Sequence, residues 1–257
     1  MGPDSVLRRC FVPMTARIPG RLADLSREKS ATVGRVAAER ETPDGVPVVI
    51  ELGRRRVFAS ALDWPGWSRS GRDEPAALAA LAAAEPRYQQ VSALAGLDLP
   101  AALVDRLRVV ERLPGDATTD FGAPGKAAEA EALPLAPAEA LRRADLVAAV
   151  WTVFDQAVGK APAKLRNGPR GGGRDRDAIV AHVHEAEWSY ARKLGLRLPA
   201  PATPPAVVAQ HQAILDVLSQ PSGGTPTTGK TWSPRYAARR IAWHVLDHAW
   251  EIEDRTD

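Results

Sequence analysis

The chain has 257 residues and a single cysteine, Cys10, with 34 Lys and Arg against 31 Asp and Glu, for a formal net charge of +3. That length can bury a sizeable core without a covalent staple, and one cysteine excludes an internal disulfide and fits a reducing cytoplasm. The small positive excess is spread along the chain rather than gathered in a basic arm, so nucleic acid is not implied, and no run of eighteen apolar residues offers a membrane span.

In chain order, residues 1–29 show no hydrophobic period and no apolar signal-peptide region, and are expected to be a disordered N-terminal segment. From 30 to 113 the pattern is that of a small α/β domain. Val46 to Leu52 and Arg56 to Leu62 are short apolar runs either side of a charged turn at Gly53 and Arg54, the signature of a hairpin. Asp63-Trp64-Pro65-Gly66 forces a second turn, Trp67 to Ser70 gives a third strand, and Gly71 to Pro75 opens an alanine-rich helix through Ala84. A second helix is expected over Arg87 to Ala95, whereas Val104 to Leu113 fits either a strand or a helix. Residues 114–134, rich in Pro, Gly, Thr and Ala and lacking a period, read as a linker.

The remainder, 135–257, holds four helical stretches, Pro137 to Val158, Asp175 to Leu194, Pro205 to Leu218 and Pro234 to Asp254, each bounded by Pro or Gly. Four long helices after a β-β-β-α unit make the expected fold class α+β, the second part being an all-α four-helix bundle.

The histidines fall into a pattern on these helices. At about 100° per residue, Ile241, Val245, Ala249 and Ile252 form the inward stripe of the last helix, bordered by His244 and His248. Four residues apart, the two imidazoles can reach one point. On the second helix His182 falls with Ile179, Val183, Ala186 and Tyr190, while His184 points away. His182, His244 and His248 are therefore candidate ligands for one divalent ion, zinc first, with nickel, manganese or iron also suited to three imidazoles plus an open position. Arg240 and Glu251 flank the pair as groups that can orient a ligand or touch a substrate. Glu187 can orient a ligand from the second helix. His211, alone on the third helix, reads as surface or packing.

Before the His182 helix runs Asn167-Gly168-Pro169-Arg170-Gly171-Gly172-Gly173-Arg174-Asp175, which fits neither a P-loop nor a dinucleotide fingerprint. It is either an anion-binding loop using Arg170 or Arg174 or a connection capped by Asp175 or Asp177. Trp232, entering the last helix, is either a lid over the same end or part of a packed loop.

The segments Ala181-His182-Val183-His184-Glu185-Ala186-Glu187 and Trp243-His244-Val245-Leu246-Asp247-His248-Ala249-Trp250-Glu251 resemble the DinB-like (DinB/YfiT-type) superfamily of metalloenzymes over roughly Leu135 to Arg255. The resemblance implies a four-helix bundle holding a metal through one histidine of the second helix and a His-x-x-x-His pair of the last. It also implies a small-molecule substrate and thiol-dependent S-transfer or isomerisation, or hydrolysis. With one protein cysteine in an irregular stretch, the thiol would be a low-molecular-weight one such as mycothiol.

The stretch Arg56-Val57-Phe58-Ala59-Ser60-Ala61-Leu62-Asp63-Trp64-Pro65-Gly66 is similar to the HicB antitoxin-type fold, which implies a module that binds a toxin-like protein partner or a degenerate ligand-binding domain; it reads here as a binding or homodimer-forming module, with Trp64 and Trp67 in its core or interface. The rival reading of the chain is thus a non-enzymatic, antitoxin-like regulator whose helical bundle is structural.

Overall fold

In the computed structural model the described residues are 45–99, 103–168, 172–224 and 231–256. The expectations for residues 1–29, for 30–44 and for Arg170 lie outside them. The elements in chain order are β1 (Val46–Leu52), β2 (Val57–Ala61), β3 (Ser68–Gly71), α1 (Glu74–Ala83), α2 (Glu85–Leu94), β4 (Leu107–Pro114), α3 (Ala117–Phe121), α4 (Pro137–Lys160), α5 (Arg176–Lys193), α6 (Pro204–Leu218) and α7 (Pro234–Asp254). The class is mixed α+β, a four-stranded sheet followed mainly by helices. No helix among the described residues is long and apolar enough to cross a membrane.

The strands lie in the order β3-β2-β1-β4, with β1-β2 and β2-β3 antiparallel and β1-β4 parallel. The segment that the sequence leaves between strand and helix is β4, preceded by a 3-10 turn over Leu103–Arg106. Its residues alternate strictly between partly buried and exposed, the period of two that only a strand presents. On one face Val48, Ile50, Ala59 and Ala61 are fully buried in a core that includes Trp67, Leu81, Tyr88 and Val91. Trp67 donates from Nε1 to the Leu81 carbonyl at 2.8 Å and stacks on Tyr88 at 5.5 Å between centroids. Gly71 lets α1 follow so tightly, since a Cβ there would meet Ala77 N at 2.4 Å.

The other face carries Val49 and Leu62, and against it lies the segment expected to be a linker. Residues 114–134 are packed structure: they include α3, a 3-10 turn over Glu129–Ala132, and the buried side chains of Thr119, Ala128 and Glu131. The cause is long-range and polar. Glu51, a carboxylate 3 % exposed on β1, accepts from the backbone amides of Gly125 at 3.1 Å and Lys126 at 2.9 Å and from the Thr119 hydroxyl. Glu131 pairs twice with the guanidinium of Arg239 on α7, at 2.6 and 2.9 Å. A buried charge needs partners, and these supply them.

Helices α4 to α7 start as the prolines suggest, with Pro in the first turn of α4, α6 and α7 and side-chain caps from Thr203 and Ser233. α7 runs along α4 and also touches α5 and α6. The apolar cluster continues from the sheet into these helices, through Val147, Val150, Phe154, Ile241, Val245 and Ala249, so residues from Gly45 onward form one compact unit. Polar ties cross the same seam: Arg69 to Asp247 at 3.0 Å, Arg87 to Glu253 at 2.6 Å, and Arg143 Nη1 to the Leu62 carbonyl at 3.0 Å.

Candidate metal centre

α7 has apolar residues on more than one side, and its flank toward α5 carries His244 and His248 one turn apart. α5 buries Ile179 and Val183 and brings His182 against them. The three ring centroids are 4.7 Å (His244–His248), 5.0 Å (His182–His248) and 5.2 Å (His182–His244) apart. One nitrogen from each lies within 4.8 Å of the others. A single point is then no further than about 2.8 Å from all three, 4.8 Å divided by √3. Bonds of about 2.0–2.1 Å to zinc would need each imidazole to advance by roughly 0.7 Å, a small side-chain adjustment.

The surroundings prepare the rings for that role. His248 donates from Nδ1 to Glu251 Oε2 at 2.8 Å, which leaves Nε2 as its lone-pair nitrogen. Glu251 is itself anchored, its Oε1 accepting from Arg255 Nη1 at 2.8 Å, and Arg255 also donates to the carbonyls of Arg166 and Arg174. The hydrogen bond from His248, then the pairing with Arg255, holds the Glu251 carboxyl below the usual glutamate range despite partial burial. His244 is buried, with no hydrogen-bond partner at Nδ1 among the described residues. Burial first, and then the neighbouring His248, Arg240, His182 and Arg174, push its pKa well below the ordinary histidine value. His182 is lowered for the same first reason, followed by His248 and Arg174. Neutral imidazoles are the form that ligates a cation. A buried imidazole nitrogen that no protein group satisfies fits a bound ion.

The remaining candidates divide. Glu251 is at the cluster. Arg240, one turn before His244 and among the charges that lower its pKa, is nine-tenths buried; its Cζ lies 4.6 Å from the Trp243 ring and 5.3 Å from the Tyr190 ring. Arg174 has an exposed side chain near enough to bias both His182 and His244. Asp175 is the N-cap residue of α5 but makes no side-chain capping bond; instead its Oδ1 accepts from Leu165 N at 3.2 Å. Trp232 is part of a packed loop, its N–H bonded to the Lys193 carbonyl at 2.9 Å and its ring 5.1 Å from Tyr190 and 5.0 Å from Tyr236.

Glu187 is not at the three histidines. It is fully buried on another side of α5, accepting from Trp151 Nε1 on α4 and lying 3.1 Å from His211 Nε2 on α6. His211 stacks flat on Trp151, centroids 3.9 Å apart and planes 6° from parallel. His184 does point away from His182, toward His211 at 6.3 Å. Two further polar groups escaped sequence reasoning, Glu51 and the Glu131–Arg239 pair; the available signal was a lone carboxylate inside the apolar run Val46–Leu52 and two adjacent arginines on the apolar helix α7. No family model, no curated protein and no solved structure matches the chain.

Proposed function

We propose that the chain is a cytoplasmic metal-dependent enzyme of the DinB-like class. In this reading α4 to α7 act as a four-helix bundle in which His182, His244 and His248 hold one divalent ion, zinc foremost, that works on a small molecule. The observation that carries the reading is the convergence of three imidazole nitrogens within 4.8 Å, two from one helix and one from its neighbour. Also in support, His248 is oriented by an anchored carboxylate, and burial keeps His244 unprotonated.

A divalent ion held by three neutral imidazoles keeps its full charge and an open coordination position, where it lowers the pKa of a bound water or thiol. The protein's own part is positional. Glu251 fixes the tautomer of His248, Arg255 fixes Glu251, and the Tyr190 ring, 5.6 Å from His244, walls one side. Cys10 is the chain's single thiol, so thiol-dependent transfer or isomerisation draws on a low-molecular-weight thiol such as mycothiol, and hydrolysis draws on water.

The test is elemental analysis of purified protein. Wild type is expected to carry about one divalent ion per chain. His182→Ala and His248→Ala are expected to lose it while keeping their circular dichroism. Turnover of a thiol-transfer or ester substrate should vanish on chelation and return with metal. A wild type that binds no ion, even after reconstitution with zinc, nickel or manganese, overturns the proposal.

A further inference from the structure

Where the end of β4 and the segment after it meet α7 and the end of α5 there is a pocket of about 510 Å³. Its lining includes Lys126, Lys193 and Arg240 as cations, Trp232 and Tyr236 as aromatic walls and Thr118 as a hydroxyl, with no carboxylate lining it among the described residues. None of the three histidines lines it. Tyr190 packs against both Arg240 and His244, so pocket and histidines are neighbours on α7 rather than one site.

Arg240 is the unusual member. It is 9 % exposed, its Nη1 has no hydrogen-bond partner among the described residues, and its guanidinium lies over the faces of Trp243 and Tyr190. The three other buried arginines among the described residues are satisfied: Arg239 by Glu131 and the Lys126 carbonyl, Arg143 by Glu139 and the Leu62 carbonyl, and Arg255 by Glu251 and the carbonyls of Arg166 and Arg174. A buried guanidinium donor left without an acceptor is costly; Arg240 itself lines the pocket, so turning its guanidinium toward the pocket would bring that buried donor to an anion there. Lys126 is paired at 2.8 Å with Asp116, which is not a lining residue. The walls are pre-set. Tyr236 donates its hydroxyl to the Gly125 carbonyl at 2.9 Å, and its ring meets Trp232 edge to face at 5.0 Å. The backbone of Lys126 is held from both sides, by Glu51 at its N–H and Arg239 at its carbonyl.

The geometry points to a binding site for an organic oxyanion with an aromatic or flat apolar body, the carboxylate or phosphate drawn by Arg240 with help from Lys193, and the body lying against Trp232 and Tyr236. A pocket of this volume suits a small molecule rather than a peptide or a nucleic acid.

Benzoate and phenyl phosphate serve as the two anionic probes, and benzyl alcohol as the neutral one, titrated by calorimetry and ligand-observed NMR against the full chain. Saturable binding of at least one anion is expected, weakened by salt, with benzyl alcohol weaker by tenfold or so. Benzoate preference marks a carboxylate site and phenyl phosphate preference a phosphate site; either supports the assignment. Arg240→Gln should weaken the preferred anion by roughly tenfold or more, and Arg240→Lys by less. Lys193→Gln, at a second lining cation, gives a smaller loss and keeps the test decisive should Arg240→Gln fail to fold. His248→Ala should retain anion binding, so failure of the metal proposal and failure of this one are read separately. The assignment is overturned if neither anion saturates, if benzyl alcohol binds as well as the anions, or if folded Arg240→Gln or Lys193→Gln binds like wild type.

Discussion

Glu131→Ala is the sharpest test of how the connecting segment is held. Both partners of the Glu131–Arg239 pair are 2 % exposed, and they meet through two charge-assisted hydrogen bonds at 2.6 and 2.9 Å. Truncating the carboxylate strands a guanidinium in the core with one remaining acceptor, the Lys126 carbonyl at 2.7 Å. Breaking a buried pair from one side costs about 3–5 kcal/mol. At about 2–4 °C per kcal/mol for a unit of this size, melting should fall by about 6–20 °C. Urea denaturation followed by circular dichroism is the assay, with the slope unchanged and the midpoint lowered. Replacing both partners, Glu131→Leu with Arg239→Met, removes the stranded charge and should recover most of the loss. A Glu131→Ala protein within about 1 kcal/mol of wild type, or a double variant no more stable than the single one, would refute this role of the pair.

Three further outcomes follow from the same geometry. Glu251→Gln should weaken metal affinity by about 10–100-fold with the fold intact, measured by competition with a chromogenic chelator; unchanged affinity would mean that the 2.8 Å contact to His248 does not orient it. For the metal-free protein, folded pKa values of His244 and His182 below the ordinary histidine value mean that the unfolded chain binds more protons in acid. Their neutral forms therefore leave stability intact above about pH 6.5, and stability drops as pH falls below it, a pH dependence that His244→Ala should reduce; equal unfolding free energies from urea titrations at pH 7.5 and 5.5 would contradict this. Gly71→Ala should destabilise by about 1–3 kcal/mol in the same urea assay, because the added methyl meets backbone atoms of α1 rather than a yielding side chain; a neutral change would refute the close approach.

Local pattern made much of the architecture readable, and distance in sequence hid the rest. Pro137, Pro234 and the glycines announce helix boundaries wherever the helix lies in the fold, and the four-residue spacing of His244 and His248 puts them on one face without knowledge of any neighbour. The separation of His182 from His184 was equally a property of one helix. Glu187 was not readable in that way. Its burial depends on Trp151 and His211, which lie 36 and 24 residues away on other helices, and a wheel of α5 alone gives a glutamate near an apolar edge no partner. The same holds for residues 114–134. Their Pro- and Gly-rich composition resembles a spacer, yet Glu51 captures them from 68 to 75 residues upstream and Arg239 from 108 residues downstream. Buried charges act as long-range instructions that periodicity does not register.

Whether His182, His244 and His248 share one ion is decided by diffraction from zinc-loaded crystals above and below the zinc absorption edge. A single anomalous peak between α5 and α7, with nitrogens of those three histidines at about 2.0–2.1 Å and an open or water-filled fourth position, is the expected result. A peak at any other set of ligands, or zinc-soaked crystals with no peak there while the three rings remain apart, would contradict it.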